Sequence, residues 1–404
     1  MTALVGALVE AWTELRIHRT RVLLSLIGVA VAVAALTAVM AFGAVAEQAQ
    51  IEQSEKYGGR PALLQSSAYD LTGSTAPDPE ALAAAYDTGF DRYGIGFSSR
   101  VYFGATRVQF ADGVRDVSVT AVDPEYGSMH RIDLLEGSWF SERDTQRLAP
   151  AAIVSEDFWN LLGRPALATH PVFEMPGTPG ATAVVVGVTP SPGFDEGPVA
   201  YLLADDYLAT LPPVQAAQQQ AQFEAWVPPE LADELTTRLQ RDVAGALGDG
   251  FQVDVYRTDY LAYTGDGDPF LITKLLVGGV AVLVLLLGAL SLVNISLVTM
   301  RQRIREIGIR RSFGATAGRV FFAVMMESVV ATVVAGVAGV AVAILLFRLP
   351  FVTDLIAQGV TDAPAFPLDA ALLGLAASVA VGALAGLLPA LVAVRVKVID
   401  AIRY

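Results

Sequence analysis

Only three imidazoles, His18, His130 and His170, occur in the 404 residues, and there is no cysteine. Zinc hydrolysis would need two histidines at the spacing of H-E-x-x-H, or cysteines to complete a tetrahedral site. Neither arrangement is present. Gly265-Asp266-Gly267-Asp268-Pro269 has the carboxylates of a calcium loop but lacks the later ligands of an EF-hand, so it reads as a flexible linker. A nucleophilic serine in a G-x-S-x-G turn is missing, and Ser155-Glu156-Asp157 stands where a strand passes into a helix. No G-x-x-x-x-G-K-[ST] run offers the amides and lysine that cradle nucleotide phosphates, so these residues do not hydrolyse ATP by themselves. The expectation is a non-catalytic chain with no metal site and no bound cofactor.

Two other groups of polar residues stand out. Glu327, beside Met325 and Met326, lies shallow in an apolar stretch, where pairing with a nearby arginine or a helix contact is expected rather than a proton path. Arg305-Glu306-Ile307-Gly308-Ile309-Arg310-Arg311-Ser312-Phe313-Gly314-Ala315-Thr316 reads as a short basic helix with an apolar side that Gly314 can terminate.

The elements that position these residues are set by charge distribution. Residues 22–46, 275–300, 328–347 and 370–394 contain no Asp, Glu, Lys or Arg. Each is long enough to cross roughly 30 Å of hydrocarbon at about 1.5 Å per residue. The fold class is therefore membrane α-helical, with four transmembrane helices and a large extracytoplasmic α+β domain inserted between the first and the second. Arg16, Arg19 and Arg21, the arginines from Arg301 to Arg319, and Arg395, Lys397 and Arg403 flank the spans on one side, which places both termini in the cytoplasm. Ala44-Val45-Ala46 resembles a signal cleavage site, but the apolar run before it is too long for a signal peptide and reads as an uncleaved anchor. The expected organisation is a cytoplasmic amphipathic helix at 1–21, spans at 22–46, 274–300, 320–347 and 370–394, the outside domain at 47–273, a cytoplasmic element at 301–319, an outside loop at 348–369 and a tail at 395–404. Gly336 and Gly339 in the third span, and Gly382 and Gly386 in the fourth, are spaced for close helix packing.

Residues 47–273 hold 33 acidic and 13 basic residues, so the formal charge of −14 resides there. Such a surface disfavours nucleic acid. Strand-like runs 107–110 and 114–122 flank Asp112-Gly113 as a hairpin, and 183–188 is a further strand. A helix starts at Asp78-Pro79-Glu80, with Asp78 able to cap it, and another spans 229–247 before Gly248. The Pro- and Gly-rich 171–180 reads as a surface loop.

The 305–316 run closely resembles the signature linking the second and third helices of MacB-type and FtsX-like ABC transporter permeases. The resemblance extends to Ile27-Gly28-Val29, to Gly336 and Gly339, and to Gly386, Pro389, Ala390 and Ala393. In the outside segment Val122-Asp123-Pro124-Glu125-Tyr126, Leu135-Glu136-Gly137-Ser138-Trp139-Phe140, Ala152-Ile153-Val154-Ser155 and Val184-Val185-Val186-Gly187-Val188 look like that family's periplasmic core domain. Ala32 and Val398 depart from the glycine and proline that many relatives carry.

The resemblance implies a permease subunit of a bacterial plasma-membrane complex that passes ATP-driven movement from a separate cytoplasmic ATPase dimer, which holds ATP and Mg, to the outside domain, for export, efflux or handling of lipoproteins or peptides. Arg305, Glu306, Arg310, Arg311 and Gly314 would couple to the ATPase, a second permease would complete a homo- or heterodimer in the lipid, and a substrate or protein partner would meet the outside domain. The rival readings are an FtsX-like transmitter that regulates a cell-wall hydrolase without exporting anything, and a receptor without an ATPase.

Overall fold

The computed structural model describes residues 19–70, 78–175, 182–191, 197–248, 250–262, 267–314, 316–352 and 365–395. The expected amphipathic helix up to residue 18, most of the 348–369 loop, the tail beyond 395, Gly265-Asp266 of the linker and the end of the 171–180 loop lie outside these. The longer helices are α1 (Arg19–Gly58), α2 (Pro79–Tyr93), α3 (Glu156–Leu161), α4 (Ala204–Thr210), α5 (Ala232–Leu247), α6 (Leu271–Ser312), α7 (Ala317–Phe347) and α8 (Leu368–Arg395). The chain divides into two compact units, Met1–Gln50 with Phe270–Tyr404, and Ile51–Pro269.

In the first unit, four helices among the described residues are long and apolar enough to cross a membrane: Ile27–Gly58, Leu271–Asn294, Ala317–Phe347 and Leu368–Val394. Val29 and Val33 of α1, Leu292 of α6, Ala335 of α7 and Val381 and Ala385 of α8 form their common core. Leu275, Leu276, Leu283, Leu286 and Leu287 of α6 face outward, exposed. An apolar surface of that extent is stable against lipid and not against water. Two small polar side chains inside the bundle bond their own helix: Thr332 Oγ1 donates to Val329 O at 2.9 Å and Ser378 Oγ to Leu375 O at 2.7 Å, whereas the buried Thr37 Oγ1 of α1 has no hydrogen-bond partner.

Two of these helices outrun the apolar stretches that announce them. The first continues past residue 46 to Gly58, because 47–57 is rich in Glu, Gln, Ala and Lys, good helix formers with no Gly or Pro. Likewise α6 does not stop near residue 300; the basic run is its last three turns, not a separate short helix.

In the second unit, ten strands among the described residues form one mixed sheet: β1 (Leu63–Asp70), β2 (Ser98–Phe110), β3 (Gly113–Val122), β4 (Glu136–Gly137), β5 (Ala151–Ser155), β6 (Val172–Glu174), β7 (Thr182–Thr189), β8 (Val199–Leu203), β9 (Gln222–Trp226) and β10 (Phe251–Arg257). The order is β10-β1-β9-β2-β3-β8-β5-β7-β4, with β6 also on β7. β3 with β8 and β5 with β7 run parallel; the other pairs are antiparallel. The β2–β3 hairpin turns at Asp112-Gly113, with Phe110 opposite Gly113 and Val101 opposite Val122.

Proline opens α2, but the Asp78 side chain makes no capping hydrogen bond, contrary to expectation. Its backbone geometry, φ −57° and ψ 120°, suffices beside a proline that has no N–H to satisfy. The helix ends at Gly94, whose positive φ lets Ile95 N–H return to Phe90 O at 2.9 Å. In α5, Leu235, Leu239 and Val243 recur at four-residue spacing and are buried. They share one core with Tyr86 and Phe90 of α2 and with Leu64, Phe223 and Val253 of the sheet.

Candidate functional site

Arg305, Glu306, Arg310 and Arg311 all lie on the continuous helix α6, within two turns of one another. Gly314 follows with φ of 93°, a left-handed conformation that a side chain would strain. Thr316 then caps α7 by accepting from Arg319 N–H at 3.4 Å. The segment is therefore the basic end of one helix, a left-handed residue and the capped start of the next. Glu327 sits half-buried in the first third of α7.

The four glycines lie where helices approach closely. A β-carbon at Gly339 would fall 2.5 Å from Ala30 O of α1, one at Gly382 would fall 3.0 Å from Val329 Cα of α7, and one at Gly386 would fall 2.8 Å from Ser328 Cβ. At Gly336 it would meet Ser378 of α8. α1, α7 and α8 thus touch through backbone, the contact that small residues allow where the hydrophobic effect does not drive helices together.

A third cluster, not anticipated from the sequence, surrounds the last turns of α1 inside the sheet domain. Glu52 and Glu55, one helical turn apart and both buried, each face the Arg131 guanidinium at 3.3 Å. Burial opposes the arginine's charge, but the hydrogen bond to Glu55 and the fields of Glu52, Glu55 and Asp133 outweigh it, and its pKa rises. Lys56 pairs with Asp133 at 3.0 Å. Arg60 N–H donates to Met129 O at 2.9 Å, and Thr258 Oγ1 donates to Gly58 O at 2.8 Å. His130, 2% exposed, lies between Lys56 O at 3.2 Å and Glu224 Oε2 of β9 at 2.6 Å. Its ring stacks on Tyr126, centroids 4.0 Å apart, and burial followed by the Glu224 and Tyr201 fields lifts the Tyr126 hydroxyl well above its ordinary pKa.

His130 therefore binds α1 to the sheet. The other imidazole described, His170, adopts φ of 52° at the end of a short turn. Among the described residues no three His, Asp or Glu side chains group as metal ligands. The sequence signal for this clamp was faint: Glu52 and Glu55 at i, i+3 beyond an apolar run, and a His130-Arg131 pair in an acidic domain. Ser155 is occupied structurally, accepting from Phe158 N–H at 3.4 Å and from Val199 N–H at 3.1 Å.

A family model described as the MacB-like periplasmic core domain matches residues 22–253, and one described as the FtsX-like permease C-terminal matches 278–398. The pyoverdine export ATP-binding/permease protein PvdT of Pseudomonas fluorescens is 25% identical over 416 residues, covering 99% of this chain. The chain spans 59% of that relative's length. The uncharacterized ABC transporter permease YknZ of Bacillus subtilis is 25% identical over 403 residues, 96% of each chain. A crystal structure of the extracellular domain of a noncanonic ABC-type transporter YknZ from Gram-positive bacteria aligns with 47% of this chain and 98% of its own, at 12% identity and a TM-score of 0.37. With the core-domain match alone covering more than half of its length, this chain belongs to the MacB/FtsX-type ABC transporter permeases, membrane proteins with an extracytoplasmic domain.

Proposed function

We propose that the chain is a non-catalytic permease subunit that passes ATP-driven movement from a separate cytoplasmic ATPase to its sheet domain by mechanical transmission. The observation that carries this reading is the unbroken helix α6, in which the membrane span and the basic run are one element. Displacement of Arg305, Glu306, Arg310 and Arg311 by an ATPase would then move the span directly, since a helix without a break bends little along its axis. Gly314 permits the chain to reverse into α7 beneath the membrane. Across the membrane, α1 continues without Gly or Pro from Ala44 to Tyr57, and its last turns are gripped by Arg131, Asp133 and His130.

On this reading ATP and Mg belong to the partner, a view supported by the lack of a G-x-x-x-x-G-K-[ST] run in these 404 residues. Two nucleotide sites require two permeases, as a homo- or heterodimer in the plasma membrane, with both termini cytoplasmic and the acidic domain meeting substrate or a protein partner outside. Export, efflux or release of an outside molecule is the proposed outcome.

The test is purification of the tagged full chain from its native host, with bound proteins identified by mass spectrometry. An ABC ATPase that copurifies with wild type and is lost with Arg310→Glu supports the reading. Equal recovery with both sinks the docking assignment, and a copurifying wall hydrolase would favour signalling over export.

A further inference from the structure

We infer that α1 and α6 lie side by side in one fixed register and move as a single body, neither sliding past nor parting from the other. That this body carries ATP-driven movement rests on the transmission reading above; the register does not.

Four contacts in the first unit set the register. Gly288 of α6 has no room for a side chain because the Ala32 methyl of α1 fills its place. A β-carbon at Gly43 of α1 would fall 2.7 Å from Val277 Cγ1 of α6, and one at Gly28 would fall 3.2 Å from Ser291 Oγ. Glu47 of α1 pairs with Lys274 of α6 at 3.0 Å. The step of 11 residues from Ala32 to Gly43 matches the step of 11 from Gly288 back to Val277. The two helices are thus antiparallel and in contact from Gly28 to Glu47, roughly 28 Å of helix.

Sliding by one turn, about 5.4 Å, breaks this fit in either direction. One way, Leu36 would meet the Gly288 notch and Glu47 would meet Val277, which overpacks the first place and sets a carboxylate against an apolar side chain at the second. The other way, Val39 would meet Val277 and Lys274 would meet Gly43, so the ion pair is lost. Packed interfaces of this kind do not deform continuously, and smaller slides have no resting place.

In the second unit the same two connections are tied again. A β-carbon at Gly58, the last residue of α1, would fall 2.6 Å from Thr258 O, so the two backbones touch. Thr258 Oγ1 donates to Gly58 O at 2.8 Å, and Thr258 N–H donates to Leu63 O at 3.1 Å. Thr258 directly follows β10, on the way to α6, and the next residue, Asp259, is fully buried. The Asp259 carboxylate accepts from the Arg257 guanidinium at 2.9 and 3.0 Å and from Leu261 N–H at 3.0 Å, which fixes this exit in place. The chain therefore enters and leaves the sheet domain at one tied point, where Thr258 is a positioning residue. A tilt of α6 takes α1 with it.

The measurement is cross-linking of the full chain, which holds no cysteine to interfere. Glu47→Cys with Lys274→Cys replaces two partly exposed side chains, a change that leaves stability nearly intact. In lipid nanodiscs without ATPase, a short reagent that joins two thiols should link this pair and should fail to link Glu47→Cys with Gly278→Cys, one turn away. Equal linking of both overturns the register. With the copurified ATPase, the 47–274 pair should link at the same rate with and without ATP. A rate that changes with ATP shows helices that slide or part during the cycle, and overturns the single body. Thr258→Val loses the bond to Gly58 O and should make linking ATP-dependent by about fivefold, the weight of one hydrogen bond, while Thr258→Ser restores the wild-type rate. Linking in Thr258→Val that ignores ATP overturns the positioning role of Thr258. If no ATPase copurifies, the transmission reading fails, and the nanodisc result still decides the register.

Discussion

Tyr86 shows how much a single buried group reports on the sheet domain. Its ring stacks on Phe223, centroids 3.9 Å apart, and its hydroxyl bonds Ser66 Oγ at 2.5 Å. Burial pushes its pKa up, the Ser66 bond pulls it partly back, and Asp254 adds to the rise, leaving it at about 12. The unfolded chain releases this proton near pH 10 and the fold does not. Stability is therefore whole below pH 10 and falls by about 2–3 kcal/mol as pH rises to about 12. Tyr86→Phe should cost about 1 kcal/mol at neutral pH by stranding Ser66, yet flatten this alkaline loss, as urea melts at a series of pH values would show. Gly382 reports on the bundle in the same way. Gly382→Leu drives a side chain into the α7 backbone at Val329 and should lower bundle stability by about 1–3 kcal/mol, read as an earlier thermal transition in detergent. An unchanged transition would mean that α7 and α8 separate without cost there.

Helices and segments matter at the next scale, and the end of α1 is the element most exposed to test. Arg131 answers two buried carboxylates at once, so Arg131→Met removes the guanidinium that Glu52 and Glu55 share. Breaking such a group from one side costs about 3–5 kcal/mol, whereas replacing all partners costs little. The expected result is a large loss of chemical stability in Arg131→Met and recovery of most of it in Arg131→Met with Glu52→Gln and Glu55→Gln. If the triple variant is no better than the single one, packing and not charge holds the segment. Just before the clamp on α1, Glu47 pairs with Lys274 near the start of α6 at 3.0 Å. Both groups are partly exposed, and screening limits such a bond to about 1 kcal/mol or less. Lys274→Gln should therefore leave stability nearly unchanged.

For the whole molecule, the proposed transmission requires that α1 and α6 act as continuous rods, since the two units have separate cores. A Gly-Pro insertion after Gln50 breaks the helix without touching either core, because proline removes a helical hydrogen bond and clashes with the preceding turn. ATPase binding should persist while substrate-side turnover drops to the basal rate. Retained turnover would show that α1 is dispensable and that α6 alone carries the movement.

The sequence by itself determined much of what local rules govern. Uncharged runs announced the four spans because hydrocarbon tolerates no unpaired backbone and few charges. Asp112-Gly113 between alternating residues announced the β2–β3 hairpin, Ala183 to Val188 announced β7, and Gly248 marked the end of α5. Hydropathy stops where charge begins, so it marked the apolar middle of α1 and α6 but not their polar ends, where helix propensity carries on. The sheet order was beyond local reading: β1 lies between β9 and β10, strands far along the chain that nothing in their own sequences pairs with it. The clamp was hidden for the same reason. Glu52 reads as a solvated charge on a helix, Arg131 as a loop cation and His130 as a stray imidazole until folding removes water from all three. A buried charge must find a partner wherever the chain brings one. Only the tertiary structure decided that Arg131 meets Glu52 and Glu55, and that His130 lies between α1 and Glu224.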